Sequence, residues 1–202
     1  MSILESTIRY LFLAGISFLL ISSCGKKDIS NTPADPLVVA GFIKYTIRAG
    51  DHYCDKNVFL QTNYNELKFL VRFDSSCIYQ TAAAANQLDI NKLYGFADNN
   101  SDHQQFSARI GWRWSNNALR LFAYIYNNGV VSSEELAAVN IDSEILCSIG
   151  IDPTHYIFKV NNIDKTFPRF STTATAIGYH LYPYFGGDEA APHDIRIWIK
   201  EI

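Results

Sequence analysis

Several things are missing from this chain, and each absence removes a class of function. It has no block of like charge: 17 Lys and Arg stand against 20 Asp and Glu. Binding to nucleic acid or to an acidic tail needs a basic patch, so neither partner is expected. No Cys-x-x-Cys pair occurs, which removes the usual zinc ligands, and no cofactor is expected. Helical periodicity is hardly visible outside Thr81 to Gln87, which speaks against a helical bundle or an alternating β-α fold. No apolar run reaches the roughly 18 residues of a spanning helix. The longest, Ile8 to Ile21, stops short and gives way to Ser22 and Ser23, and no internal repeat or second linker is evident.

What is present begins with that run. An apolar stretch close to the start, with Arg9 near its beginning, has the layout of a secretory signal peptide, although Glu5 offsets the Arg9 charge. The stretch Ile21-Ser22-Ser23-Cys24 resembles the lipobox of bacterial lipoproteins, in which small residues precede a cysteine that is acylated and becomes the mature N-terminus. The resemblance implies palmitate-type lipidation at Cys24 and a cell-envelope address on the outer membrane of a Gram-negative bacterium. An ordinary signal peptide with an incidental cysteine is the plainer alternative. Gly25 to Pro36 is polar and broken by prolines, a composition that cannot bury a core and reads as a flexible tether. The expected organisation is a signal peptide over 1–23, a lipidated tether over 24–36 and a single domain over 37–202, long enough for a sizeable core.

Apolar period fixes the fold class. In LKFLVRF, Leu67, Phe69, Val71 and Phe73 share one face, with Lys68 and Arg72 on the other. FSARIGWRW places Phe106, Ala108, Ile110, Trp112 and Trp114 inward, and LRLFAYIY does the same for Leu119, Leu121, Ala123 and Ile125. Asn127-Asn128-Gly129 then signals a hairpin. Further strands are expected over 42–48, 144–150, 155–160, 179–185 and 195–201, the last with Ile195, Ile197 and Ile199 inward beside the early strand GFIKYTIR. Many short strands joined by Asn, Asp and Gly turns predict an all-β antiparallel sandwich or barrel. Cys147 alternates with Ile145 and Ile149 and belongs in the core, and the one disulfide to consider joins Cys54 to Cys77.

Four stretches carry a wider likeness: KLYGFADN at 92–99, SARIGWRW at 107–114, LFAYIYNNG at 121–129 and YPYFGGDEAAPHDIRIWIKE at 182–201. Together they resemble a group of bacterial envelope proteins with a concanavalin A-like jelly-roll sandwich. The resemblance spans most of 42–202 and implies that fold, with a loose association to glycan binding or glycan cleavage.

If the strands share one sheet, its outer face collects Arg109, Arg113, Arg120, Tyr124 and Tyr126. His180, Tyr182, Tyr184, Arg196 and Trp198 join them from the C-terminal stretch. Aromatic rings stack on sugar faces and arginines grip carboxylates, so this face is the candidate carbohydrate-binding site, for an acidic or neutral oligosaccharide. The plainer alternative has loops covering the face and the tyrosines packing as a second small core. A polysaccharide lyase would use His180 or His103 as base, Tyr124 or Tyr182 as proton donor and Arg109 or Arg113 to neutralise a carboxylate. The RxELR and QxH arrangements of alginate-type lyases and the ExDxE pattern of related glucanases are absent. The expected function is therefore a lipid-anchored glycan-binding accessory module, with a lyase or glycoside hydrolase of the same fold, or a structural surface protein without ligand, as alternatives. Two acidic loops remain: Asp98, Asn99, Asn100, Asp102 and His103 in one, and Asp188, Glu189, His193 and Asp194 in the other. Both read as ordinary turns before they read as cation sites.

Overall fold

The computed structural model describes residues 35–202. The signal peptide, Cys24 and most of the tether lie outside the described residues. A single helical turn, α1 (Pro36–Val39), opens the domain, with Asp35 as its N-cap. Twelve strands follow: β1 (Ile43–Ile47), β2 (Gln61–Tyr64), β3 (Glu66–Phe73), β4 (Asn91–Ala97), β5 (Ser107–Ser115), β6 (Ala118–Asn127), β7 (Val130–Val139), β8 (Glu144–Ile151), β9 (His155–Val160), β10 (Ile163–Pro168), β11 (Ala176–Leu181) and β12 (Ile195–Glu201). The apolar period that hinted at a helix around Thr81 to Gln87 produces only a 3-10 turn at Ala84–Leu88.

The strands form two antiparallel sheets of six, in the orders β1-β12-β3-β8-β9-β10 and β2-β11-β4-β5-β6-β7. Two hairpins of the second sheet turn through consecutive left-handed residues, Asn116 and Asn117 at φ 52° and 55°, then Asn128 and Gly129 at 50° and 77°. That pair of positive φ values matches the right-handed twist of the flanking strands, and Asn and Gly tolerate it best. The last strand pairs with the first as expected, Ile197 opposite Tyr45 and Ile199 opposite Ile43.

The core is the interface of the two sheets. Phe69, Val71 and Phe73 from β3 and Cys147 and Ile149 from β8 meet Ile110, Trp112 and Leu121 from β5 and β6, all of them buried. Phe73 and Trp112 make an inter-sheet ring contact with centroids 5.8 Å apart. Trp114 packs against the core as expected but stays half-buried. The proposed Cys54–Cys77 bridge does not form: both are buried free thiols, and the Cys77 Sγ points instead at the Arg196 carbonyl, 3.6 Å away.

Polar ties close one end and one side of the sandwich. At one end Asp98 and Arg169, both with fully buried side chains, pair through Nε–Oδ2 at 2.7 Å and Nη2–Oδ1 at 3.0 Å, and the Tyr156 hydroxyl donates to the same carboxylate at 2.8 Å. Along one side, the Lys165 ammonium on β10 reaches Glu134 Oε1 at 2.6 Å and the Glu135 carbonyl at 2.9 Å, joining the edge strand of one sheet to β7, the edge strand of the other.

Candidate functional site

The outer face of the second sheet holds a cleft of about 470 Å³. Its floor comes from three neighbouring strands: Lys92 on β4, Arg109 on β5, and Tyr124 and Tyr126 on β6. One wall is the segment before β2, with Tyr53, Val58 and Phe59, and the other is β11 and its extension, with Tyr179 and Tyr184. Beyond β11 the chain keeps its place through reciprocal backbone hydrogen bonds between Lys92 and Tyr184, both 2.9 Å. Tyr184 stacks on His52 and takes the edge of Tyr53, at centroid distances of 5.4 and 4.9 Å, so the rings rigidify one another. Phe59 leans on Tyr179 at 5.6 Å, and past that pair a more open hollow of about 450 Å³ continues along Gln61, Asn100 and Ser101.

Two glycines shape the floor. Gly95 lies opposite Arg109, and a Cβ there would stand 2.7 Å from Arg109 Cα and Cγ, so the bare backbone lets the arginine lie flat across β4. At Gly186 a Cβ would come within 2.7 Å of Lys92 Nζ. The two cations share one ring: Lys92 Nζ is 4.5 Å and the Arg109 guanidinium carbon 5.6 Å from the Tyr124 centroid. Cation–π attraction of this kind offsets part of the desolvation of each charge. Burial, with the Arg109 charge beside it and Asp89 opposing, holds the Lys92 ammonium down at about 8. Burial and the neighbouring Tyr126 push the Tyr124 phenol up to about 12. At the other end of the cleft the Tyr179 hydroxyl accepts from the His103 backbone N–H at 3.0 Å and meets its Nδ1 at 2.8 Å, while burial and then Arg109 lower the His103 imidazole from its usual value.

The residues expected on one face divide. Arg109, Tyr124, Tyr126 and Tyr184 do come together in the cleft. Arg113 lies on the same sheet beyond it, over Phe122 at 4.6 Å and donating to the Leu88 carbonyl at 2.6 Å. Arg120 is paired with Glu135 at 2.8 Å. Tyr182 borders the cleft but packs its ring against Tyr45 and the core. His180 borders the cleft, but its side chain is a correction: it pairs across the sheet with inward-facing Phe96, is fully buried with Nδ1 3.2 Å from the Tyr64 hydroxyl, and burial drives its imidazole down to about 4. Arg196 and Trp198 belong to the other sheet, Arg196 bound to Asp74 at 3.0 Å and the Trp198 indole N–H to Asp35 at 2.9 Å. Lys92, Tyr179, Tyr53 and Phe59 also line the cleft, and the sequence pattern carries no signal for them. Lys92 follows an asparagine and sits at a β-bulge, and Tyr53 and Phe59 lie outside the named strands, so no alternation marks them.

Both acidic loops are committed to structure. Asp98 is consumed by Arg169 and Tyr156. Glu189 accepts from the backbone N–H of Ala82 and Ala83 at 2.7 and 2.8 Å and from Asn86 at 2.9 Å, while Asp194 accepts from Ala49 and His193 Nε2 meets the Ser76 carbonyl. GGDEAAPHD is thus a latch that seats the segment before β12 on the 81–86 turn.

No family model matches the sequence, and no curated protein matches it. Solved structures do match in fold. The alginate lyase AlyC3 in complex with dimannuronate superposes with a TM-score of 0.57 at 10% identity, covering 82% of this chain and 74% of that one. The glycoside hydrolase family 16 endo-glucanase from Bacteroides ovatus superposes with a TM-score of 0.50 at 12% identity, covering 80% of each chain. At these identities the likeness is one of architecture, and the architecture is a concanavalin A-like antiparallel jelly-roll sandwich.

Proposed function

We propose that this chain is a lipid-anchored envelope protein that binds glycan as an accessory module. The observation that carries the reading is the cleft itself: Tyr53, Tyr124, Tyr179, Tyr184 and Phe59 surround a groove of oligosaccharide size on the outer face of a sheet. Fixed aromatic rings present flat apolar faces for sugar rings, and their mutual contacts mean that little order is lost when a ligand settles between them. The alginate lyase in complex with dimannuronate shares the fold, which supports a sugar ligand. Anchoring rests on the lipobox-like Ile21-Ser22-Ser23-Cys24, with 1–23 as the signal peptide, 24–36 as the tether and the sandwich as the single domain of 37–202. Asp35, at the end of the tether, caps α1 and binds Trp198 on the sheet opposite the cleft, an arrangement that leaves the cleft open to ligand. A panel of immobilised neutral and anionic polysaccharides should retain the full chain, with Tyr184→Ala lowering retention; no retention on any member would overturn the glycan reading.

A second reading, a polysaccharide lyase, is favoured by one feature: the His103–Tyr179 pair stands in the same cleft as Arg109. There the tyrosine–histidine pair would move the proton and Arg109 would stabilise the carboxylate-derived anion. Incubation with uronate polymers would then yield products carrying a new double bond, and His103→Ala would abolish them.

A further inference from the structure

We propose that the sugar bound in this cleft carries an acidic oxygen group, a carboxylate or sulfate ester, seated between the Lys92 ammonium and the Arg109 guanidinium. The inference rests on the glycan-binding reading and narrows it to anionic glycans.

The argument starts from what surrounds the two cations. The Arg109 residue is only 7% exposed, and its Nε is buried without a hydrogen-bond partner among the described residues. Neither Arg109 nor Lys92 takes part in any ion pair among those residues, although Lys56, Arg120, Lys165, Arg169 and Arg196 all do. Among the described residues Lys92 Nζ has a single acceptor, the Ile90 carbonyl at 2.7 Å. A desolvated guanidinium and a desolvated ammonium side by side repel one another and have lost most of their water, an arrangement that a fold avoids unless an anion completes it.

The site is also built to hold them there. Gly95 and Gly186 leave room where any side chain would displace Arg109 or Lys92, and Tyr124 lies beneath both charges. The groups facing Lys92 are Arg109, Tyr124, Tyr184 and, from behind, Asp89. Asp89 is the one acid among them, and it stands close to Gly187 rather than in contact with either cation. The open side of the pair is the cleft. The planar guanidinium fork fits the two oxygens of a carboxylate, and the ammonium supplies a point charge beside it. The tyrosine walls then take the ring that bears the acid. Past Phe59 and Tyr179 the lining changes to Gln61, Asn100, Ser101 and Asp102, suited to hydroxyl groups and not to a second acid.

The test is affinity electrophoresis of the full chain through gels containing polygalacturonate, dextran sulfate or unmodified dextran. The parent is expected to be retarded by an acidic polymer and not by dextran, and the two acidic arms tell carboxylate from sulfate ester. Lys92→Met should weaken that retardation at least tenfold, and Lys159→Met, on the other sheet, should leave it unchanged. Should Arg109→Gln fail to fold, Lys92→Met still decides. Raising the pH through about 8 should release the parent as Lys92 loses its proton, whereas Lys92→Arg should stay bound. Equal retardation by dextran, or equal loss in Lys92→Met and Lys159→Met, overturns the acidic ligand while leaving glycan binding intact. Absence of retardation in every gel overturns both.

Discussion

Arg169 grips Asp98 through two parallel hydrogen bonds, 2.7 and 3.0 Å long, where neither side chain is exposed to solvent. The pair ties the end of β4 to the 169–175 segment, and Ser171 and Thr173 close around the guanidinium. Removing one partner leaves the other charge buried and unanswered. Arg169→Met should therefore cost about 3–5 kcal/mol in urea unfolding. Combining it with Asp98→Leu should recover part of that loss, since the apolar pair buries no charge.

The two tryptophans of β5 separate inward from half-inward positions. Trp112 is fully buried against Phe73 and Tyr79, with centroids 5.8 Å away in each case. Trp112→Ala should cost about 3–5 kcal/mol through lost burial and an unfilled cavity. Trp114→Ala should cost clearly less, and matched urea titrations of the two variants check the difference.

His180 gives the domain an acid limit. Its buried imidazole titrates at about 4, below the ordinary value of 6.5, so the unfolded chain binds a proton before the folded one does. Stability thus falls as pH drops from about 6.5 to 4, by on the order of 3 kcal/mol from this residue alone. Glu201 Oε1 lies 4.0 Å away but is half-exposed and already accepts from the Tyr94 hydroxyl, so it does little to hold the charged form. A melting series in which His180→Phe flattens that slope would confirm the assignment.

Lys92 acts in the opposite range. Its folded value of about 8 lies under the ordinary 10.5, so the unfolded chain again holds the proton longer, and stability should rise with pH between those two values. The expected check is a rising melting temperature over that window, absent in Lys92→Met.

The latch loop divides its own acids. Glu189 makes three hydrogen bonds to the 82–86 turn, and those bonds hold its carboxyl below the ordinary range. Glu189→Gln should lower the urea midpoint, and Asp188→Asn should not. A calcium chelator is expected to leave both melting curves in place.

Much of the fold can be read from period two, because in β3, β5, β6, β9 and β12 every second residue is apolar and points into the core. Other strands hide for physical reasons. In β7, VVSSEELAAV, an edge position leaves both faces largely exposed, and in β4 a bulge at Lys92–Tyr94 and burial on both sides erase the alternation. Alternation also tells inside from outside without telling which sheet a strand joins. Trp198 therefore reads as a neighbour of Tyr124, although the two lie on opposite sheets. The cleft was half legible: Arg109, Tyr124, Tyr126 and Tyr184 follow from strand faces. His180 did not, because the chain leaves regular pairing after Leu181 and the parity of 180, 182 and 184 is lost.

The Lys165 link between β10 and β7 bears on how the molecule behaves in a crowd. A sandwich ends in unpaired backbone donors and acceptors, and a neighbouring copy can add its own strand to such a rim. Here the rim carries Ser132, Ser133, Glu134 and Glu135 in succession, and the lysine clamps the two rims together. Stacking one copy onto the next would strip Glu134 of its counter-charge and bring two rows of carboxylates face to face. That repulsion disfavours edge-to-edge pairing of β7 with the same strand of a neighbouring copy, even at high local density.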